Sequence, residues 1–113
     1  MIALVAILHL FFLVLEMFLW TKPLGRKVFG LKQEFANNSA TLAANQGLYN
    51  GFLAAGLTWG LLDQVGGFNT LIFFLSCVII AGIYGAFSVN KSIFWVQAFP
   101  AIIALTLLFA TQA

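Results

Sequence analysis

Charge is what this chain of 113 residues has least of: five Lys/Arg, three Asp/Glu and one His, with 7% of positions charged. A soluble domain carries roughly 25%. So little charge cannot cover a surface in water, which excludes an ordinary soluble domain and points to an integral membrane protein. The net charge of +2 is too small to imply a nucleic-acid partner, and none is expected. Cysteine occurs once, at Cys77, which excludes an intrachain disulfide framework and a Cys-based metal site. Inside its apolar run it reads as a small buried residue. One histidine and one glutamate within apolar runs are too few for a tetrahedral metal site, so neither metal nor cofactor is expected. Proline occurs twice, at Pro23 and Pro100, leaving long stretches free to be helical.

What is abundant is apolar: 63% of the residues, thirteen of them Phe, with a mean hydropathy of +1.06. The length allows a single domain with about four spans of ~20 residues. Four apolar segments stand out, at 2–20, 43–62, 68–87 and 93–111. The first lacks a basic leader and a small-residue cleavage site, and is expected to be a retained helix. The connections DQVGG (63–67) and SVNKS (88–92) are short, so the last three helices run up, down and up. Asn90 or Ser92 is positioned to cap the fourth. The connection 21–42 is longer. In it Leu24, Val28, Leu31 and Phe35 fall on one helical face, with Arg26, Lys27, Lys32 and Gln33 between them and Pro23 suited to a first turn. The expected fold is all-α: a four-transmembrane-helix bundle with a short amphipathic interfacial segment between helices 1 and 2.

All five basic residues share one side of this arrangement: Lys22, Arg26, Lys27 and Lys32 between the first two helices, Lys91 between the last two. The positive-inside rule places that side in the cytoplasm and both termini outside. Trp20, Trp59 and Trp95 fall near helix ends, where aromatic belts sit. Small residues at helical spacing (Gly47, Gly51 and Ala55; Gly56 and Gly60; Cys77, Ala81 and Gly85) suit close helix packing and leave a homo-oligomer open.

The stretch HLFFLVLEMFLW (9–20) places His9 and Glu16 seven residues apart on one helical face, with Phe12, Leu13 and Trp20 on or beside it. Their backbones are separated by about 10 Å, so each needs partners from elsewhere. His9 falls near the bilayer middle, where a charge is costly and which it can avoid by staying neutral; Glu16 lies about a turn from the cytoplasmic end. An apolar span disfavours the ionised form of a carboxylate, which makes Glu16 a candidate for acid–base work or proton coupling. The candidate partners are uncharged polar groups in the cytoplasmic half: Asn45, Gln46, Tyr49 and Asn50 on the second helix, Tyr84 on the third, Gln97 on the fourth. Lipid cannot satisfy amides, so these are expected to face inward. Pro100 frees the Val96 carbonyl and disturbs the helix beside Gln97.

The segment NQGLYNGFLAAGLTWG (45–60), with HLFFLVLEMFLW, CVIIAGIYGA (77–86) and VQAFPAIIAL (96–105), resembles a family of small bacterial integral membrane proteins known as domain of unknown function 1304. The resemblance covers nearly the whole chain. It implies a four-helix protein of the bacterial plasma membrane and brings no substrate, cofactor or catalytic residue.

Three functions compete. The first is binding or transforming a small lipophilic molecule in a polar intramembrane pocket, with Glu16 as acid or base, His9 as a second proton-transfer or orienting group, and Gln46, Asn50 and Gln97 holding the ligand's polar end. Phe12 and other aromatics would then line the apolar wall. The second is a proton-coupled exporter of the small multidrug type, which the one-sided basic distribution opposes. The third is a non-catalytic assembly partner using the small-residue stripes. The sequence leaves open whether any reaction is catalysed.

Overall fold

A computed structural model describes residues 1–112, and among them every regular element is helical. The elements are α1 (Ile2–Met17), α2 (Pro23–Phe29), α3 (Gln33–Leu62), α4 (Gly67–Ser88), and a π-turn (Phe94–Ala98) that runs into α5 (Phe99–Gln112). Two helical stretches are long and apolar enough to cross a membrane: Gly67–Ser88, with hydropathy 2.3, and Phe94–Thr111, with 1.8. Two of the four expected spans therefore match by length and composition. α1 is apolar but has only 16 residues, and α3 has 30 residues but carries too many amides and glycines for the same class.

The boundaries show where local chemistry overrides periodicity. α1 ends three residues short of Trp20, where the Leu19 N–H bonds the Val14 carbonyl and the Lys22 N–H bonds the Leu19 carbonyl. α2 begins on Pro23 as expected and stops at Gly30, whose φ of 66° is the left-handed conformation that ends helices. The N–H groups of Gly30 and Leu31 both bond the Arg26 carbonyl. The expected single amphipathic face is therefore broken. Leu24 and Val28 belong to α2, Leu31 sits in the break, and Phe35 belongs to α3. The second long helix starts at Gln33 and not near 43. Its polar first turns are tied locally, by Gln33 Nε2 on Asn37 Oδ1 (2.8 Å) and by Ser39 Oγ on the Phe35 carbonyl (2.6 Å).

α4 matches its expected span within a residue at each end. The turn before it is set by the Asp63 carboxylate, which accepts the N–H groups of Val65 and Gly66, each at 3.0 Å. Ahead of the last helix, Asn90 Oδ1 accepts the Ser92 N–H at 3.0 Å. Proline's missing N–H takes effect as a π-turn just upstream, in which the Phe99 N–H bonds the Phe94 carbonyl five residues back.

The chain divides into two compact units, Ile7–Ala54 and Met1–Ala6 with Ala55 onward. In the first, Leu15, Ala36 and Ala43 are buried, with the polar residues His9, Glu16 and Asn50. In the second, Leu57, Leu71, Leu75, Val78, Ala98, Ala101 and Ala104 form the core. There Gly82 is required by close approach: a Cβ at that position would lie 2.6 Å from the Ala98 nitrogen.

Candidate functional site

Within the Ile7–Ala54 unit, α1 and α3 bring one carboxylate and two amides together. Glu16, the penultimate residue of α1, is 4% exposed, and Asn50 is 8% exposed. Gln46 and Asn50 are four residues apart and so share one face of α3. Gln46 Nε2 donates to Glu16 Oε2 at 2.8 Å, and Asn50 Nδ2 donates to Oε1 at 2.5 Å. Each carboxyl oxygen thus has its own amide partner, which offsets part of the cost of burying the group. Gly47 makes this possible. A Cβ there would lie 2.7 Å from Met17 Cγ, 3.1 Å from Glu16 Cβ and 3.2 Å from the Leu13 carbonyl oxygen, so a bare backbone is what lets α3 close on the end of α1.

The two amides differ in access. Asn50 is buried, whereas Gln46 is exposed. Among the described residues, no buried side-chain nitrogen or oxygen lacks a hydrogen-bond partner, and no group of three or more His, Cys, Asp or Glu could hold a metal.

His9 is buried, with Phe12 edge-on at 5.6 Å between ring centroids. Asn45 and Tyr49 are exposed on α3, Tyr49 edge-on to Phe52 at 5.8 Å. Trp20 is engaged in the joining turn: its Nε1 donates to Ser39 Oγ at 3.0 Å, and its ring packs 5.0 Å from that of Phe29. Tyr84 (exposed, on α4) and Gln97 (half-buried, in the π-turn) belong to the second unit. Within the Ile7–Ala54 unit the hydrogen bonds bring together Glu16, Gln46 and Asn50. Ser39, the acceptor for Trp20, carries no signal in the sequence, because it lies in a stretch that reads as loop.

The family model described as "Protein of unknown function (DUF1304)" matches residues 3–109. The chain belongs to that family. It is also 32% identical over 104 residues to the uncharacterized protein YpaA of Lactococcus lactis subsp. lactis (strain IL1403), an alignment covering 90% of this chain and 87% of that protein. No solved structure matches it. DUF1304 membership brings no assigned chemistry, so the carboxylate has to be read from its own surroundings.

Proposed function

We propose that this DUF1304 protein is a multi-pass membrane protein that holds the polar end of a small lipophilic molecule at the Glu16–Gln46–Asn50 cluster and exchanges a proton with it. The observation that carries this reading is the buried carboxylate itself, held by two amides of different accessibility. Gln46 is the replaceable partner: a ligand N–H or O–H can take its place on Oε2 while Asn50 keeps Oε1 fixed. If Glu16 takes up a proton, its O–H needs an acceptor, and an amide supplies one by turning its oxygen inward. Proton uptake is therefore coupled to reorientation of Gln46 or Asn50.

The membrane setting has separate support. Only 22% of each of these two apolar stretches is buried, whereas the core helix of a soluble protein is mostly buried. Large apolar side chains such as Leu62, Ile80, Tyr84 and Phe87 are exposed, which in water would invite association. In this reading α1 and α3 supply the other two crossings, and the basic residues put the 21–32 connection and Lys91 in the cytoplasm. The small-residue stripes favour the assembly reading less. Gly47 and Gly51 are used against Leu13 and Met17, and Gly56 and Gly60 against Phe74 and Leu71, inside the chain; of the third stripe, Gly85 lies against Ile93 and Ala81 is exposed.

The test is mass spectrometry of lipid extracts from gently solubilised protein. Wild type should retain a recurring small lipophile that Glu16→Gln loses. Equal retention by Glu16→Gln and by Asn50→Ala would remove the cluster from ligand binding.

A further inference from the structure

The second unit contains an open groove of about 500 Å³ between the last turns of α4 and the π-turn, lined by Ile83, Ala86, Phe87, Lys91, Phe94 and Trp95. That volume lies within the range of about 300–1,000 Å³ usual for small-molecule sites. Five of the six lining residues are apolar and one is a cation. The cation is held in a defined turn. The N–H groups of Val89 and Asn90 both bond the Gly85 carbonyl (2.8 and 3.1 Å), and Asn90 caps the Ser92 N–H on the other side of Lys91. Lys91 is the single Lys or Arg beyond residue 32, and no Asp or Glu lies beyond residue 63, so no nearby acid in sequence neutralises it. Neither its ammonium nor the Trp95 indole N–H has a hydrogen-bond partner among the described residues. Trp95 is braced between Phe94 and Phe99, with centroids at 5.2 and 5.3 Å.

We infer that this groove seats one anionic phospholipid, with the headgroup phosphate on Lys91 and the Trp95 N–H and an acyl chain along Ile83, Ala86, Phe87 and Phe94. Charge complementarity selects the headgroup, since an anion alone would not need four apolar walls and a neutral lipid would leave the ammonium unmatched. The groove joins the ends of the two stretches that are long and apolar enough to cross a bilayer, which is where headgroups lie. The wide π-turn supplies the Phe94 and Trp95 wall, a functional use in keeping with where such turns occur. The inference shares the membrane setting of the proposed function but none of its carboxylate cluster.

The experiment is native mass spectrometry of the detergent-solubilised full chain with phosphatidylglycerol and phosphatidylcholine of matched acyl chains. Detergent removes any dependence on bilayer insertion. Wild type should retain phosphatidylglycerol about fivefold better than phosphatidylcholine, the preference expected for one basic residue at a lipid surface. Lys91→Gln should lose that preference, Lys91→Arg should keep it, and Ala86→Phe should lose bound phosphatidylglycerol with Lys91 intact by filling the groove. Lys27→Gln, on the other basic segment, should leave the preference in place. Glu16→Gln should also leave it in place, which separates this result from failure of the carboxylate reading. An unchanged preference in Lys91→Gln, undiminished retention of phosphatidylglycerol in Ala86→Phe, or displacement of the lipid by inorganic phosphate would overturn the inference.

Discussion

Glu16, Gln46 and Asn50 form a closed set of donors and acceptors, and this fixes how substitutions should behave. Asn50→Leu removes one donor and leaves a buried carboxylate oxygen unmet, so it should destabilise the protein by about 1–3 kcal/mol. Glu16→Leu leaves the buried Asn50 amide without its acceptor, at similar cost, while the exposed Gln46 amide can turn to solvent. Replacing both residues by Leu removes donor and acceptor together and should cost less than the sum. Denaturant unfolding of the three variants in detergent checks this, and strict additivity would mean that the bond contributes nothing. Asp63 offers a pH test. The Gly66 and Val65 N–H groups hold its carboxyl below the ordinary carboxylate value. A folded-state pKa below the unfolded one contributes stability that is fully present above the unfolded value and is lost as pH falls through the folded one. A carboxyl NMR titration should give Asp63 a midpoint below about 3.9; a midpoint at or above that would mean the turn does not form. Much of the carboxylate cluster was legible in the sequence. Amides at i and i+4 in an otherwise apolar run must share a face, and apolar surroundings give them no partner. Asn45 and Tyr49 are uncharged polar groups too, but they lie one position before Gln46 and Asn50, about 100° around the helix, and both are exposed. Only the rotation of α3 against α1 distinguishes the two pairs, and no single sequence encodes it plainly.

At the scale of elements, apolar length was a good guide where nothing interrupted it, as in α4. It failed where single residues decide. Gly30 cuts the connection into two helices through its backbone alone, and nothing lies within 4 Å of where its Cβ would be. Gly30→Ala should therefore cost only the left-handed strain, about 1–2 kcal/mol. Gly82 is the opposite case, with ordinary backbone but no room beside Ala98. Gly82→Ala must push backbone from backbone and should cost about 1–3 kcal/mol while weakening the packing of the π-turn. Thermal unfolding ranks the two, and hydrogen exchange at residues 94–99 should accelerate in Gly82→Ala and stay unchanged in Gly30→Ala. The early start of α3 was hidden because NNSAT reads as loop; its side chains make helical i, i+4 bonds, which composition does not reveal.

At the scale of the molecule, the arrangement of crossings is open to a direct test. With Cys77 replaced by Ala, single cysteines at Lys32 and Lys91 should react with a membrane-impermeant maleimide only after the bilayer is opened, and one at Val65 should react in intact cells. Labelling of all three from one side would leave α4 without a crossing. The length of α3 adds a constraint of its own. Thirty residues rise about 45 Å, some 15 Å more than a hydrocarbon layer of about 30 Å. If Leu62 marks the far edge of that layer, the first three turns, with Glu34, Asn37 and Asn38, project past the near edge as a rigid stalk. A pull or twist applied there, by a binding partner or by the headgroup layer, would be carried undamped to Gln46 and Asn50 a few turns deeper.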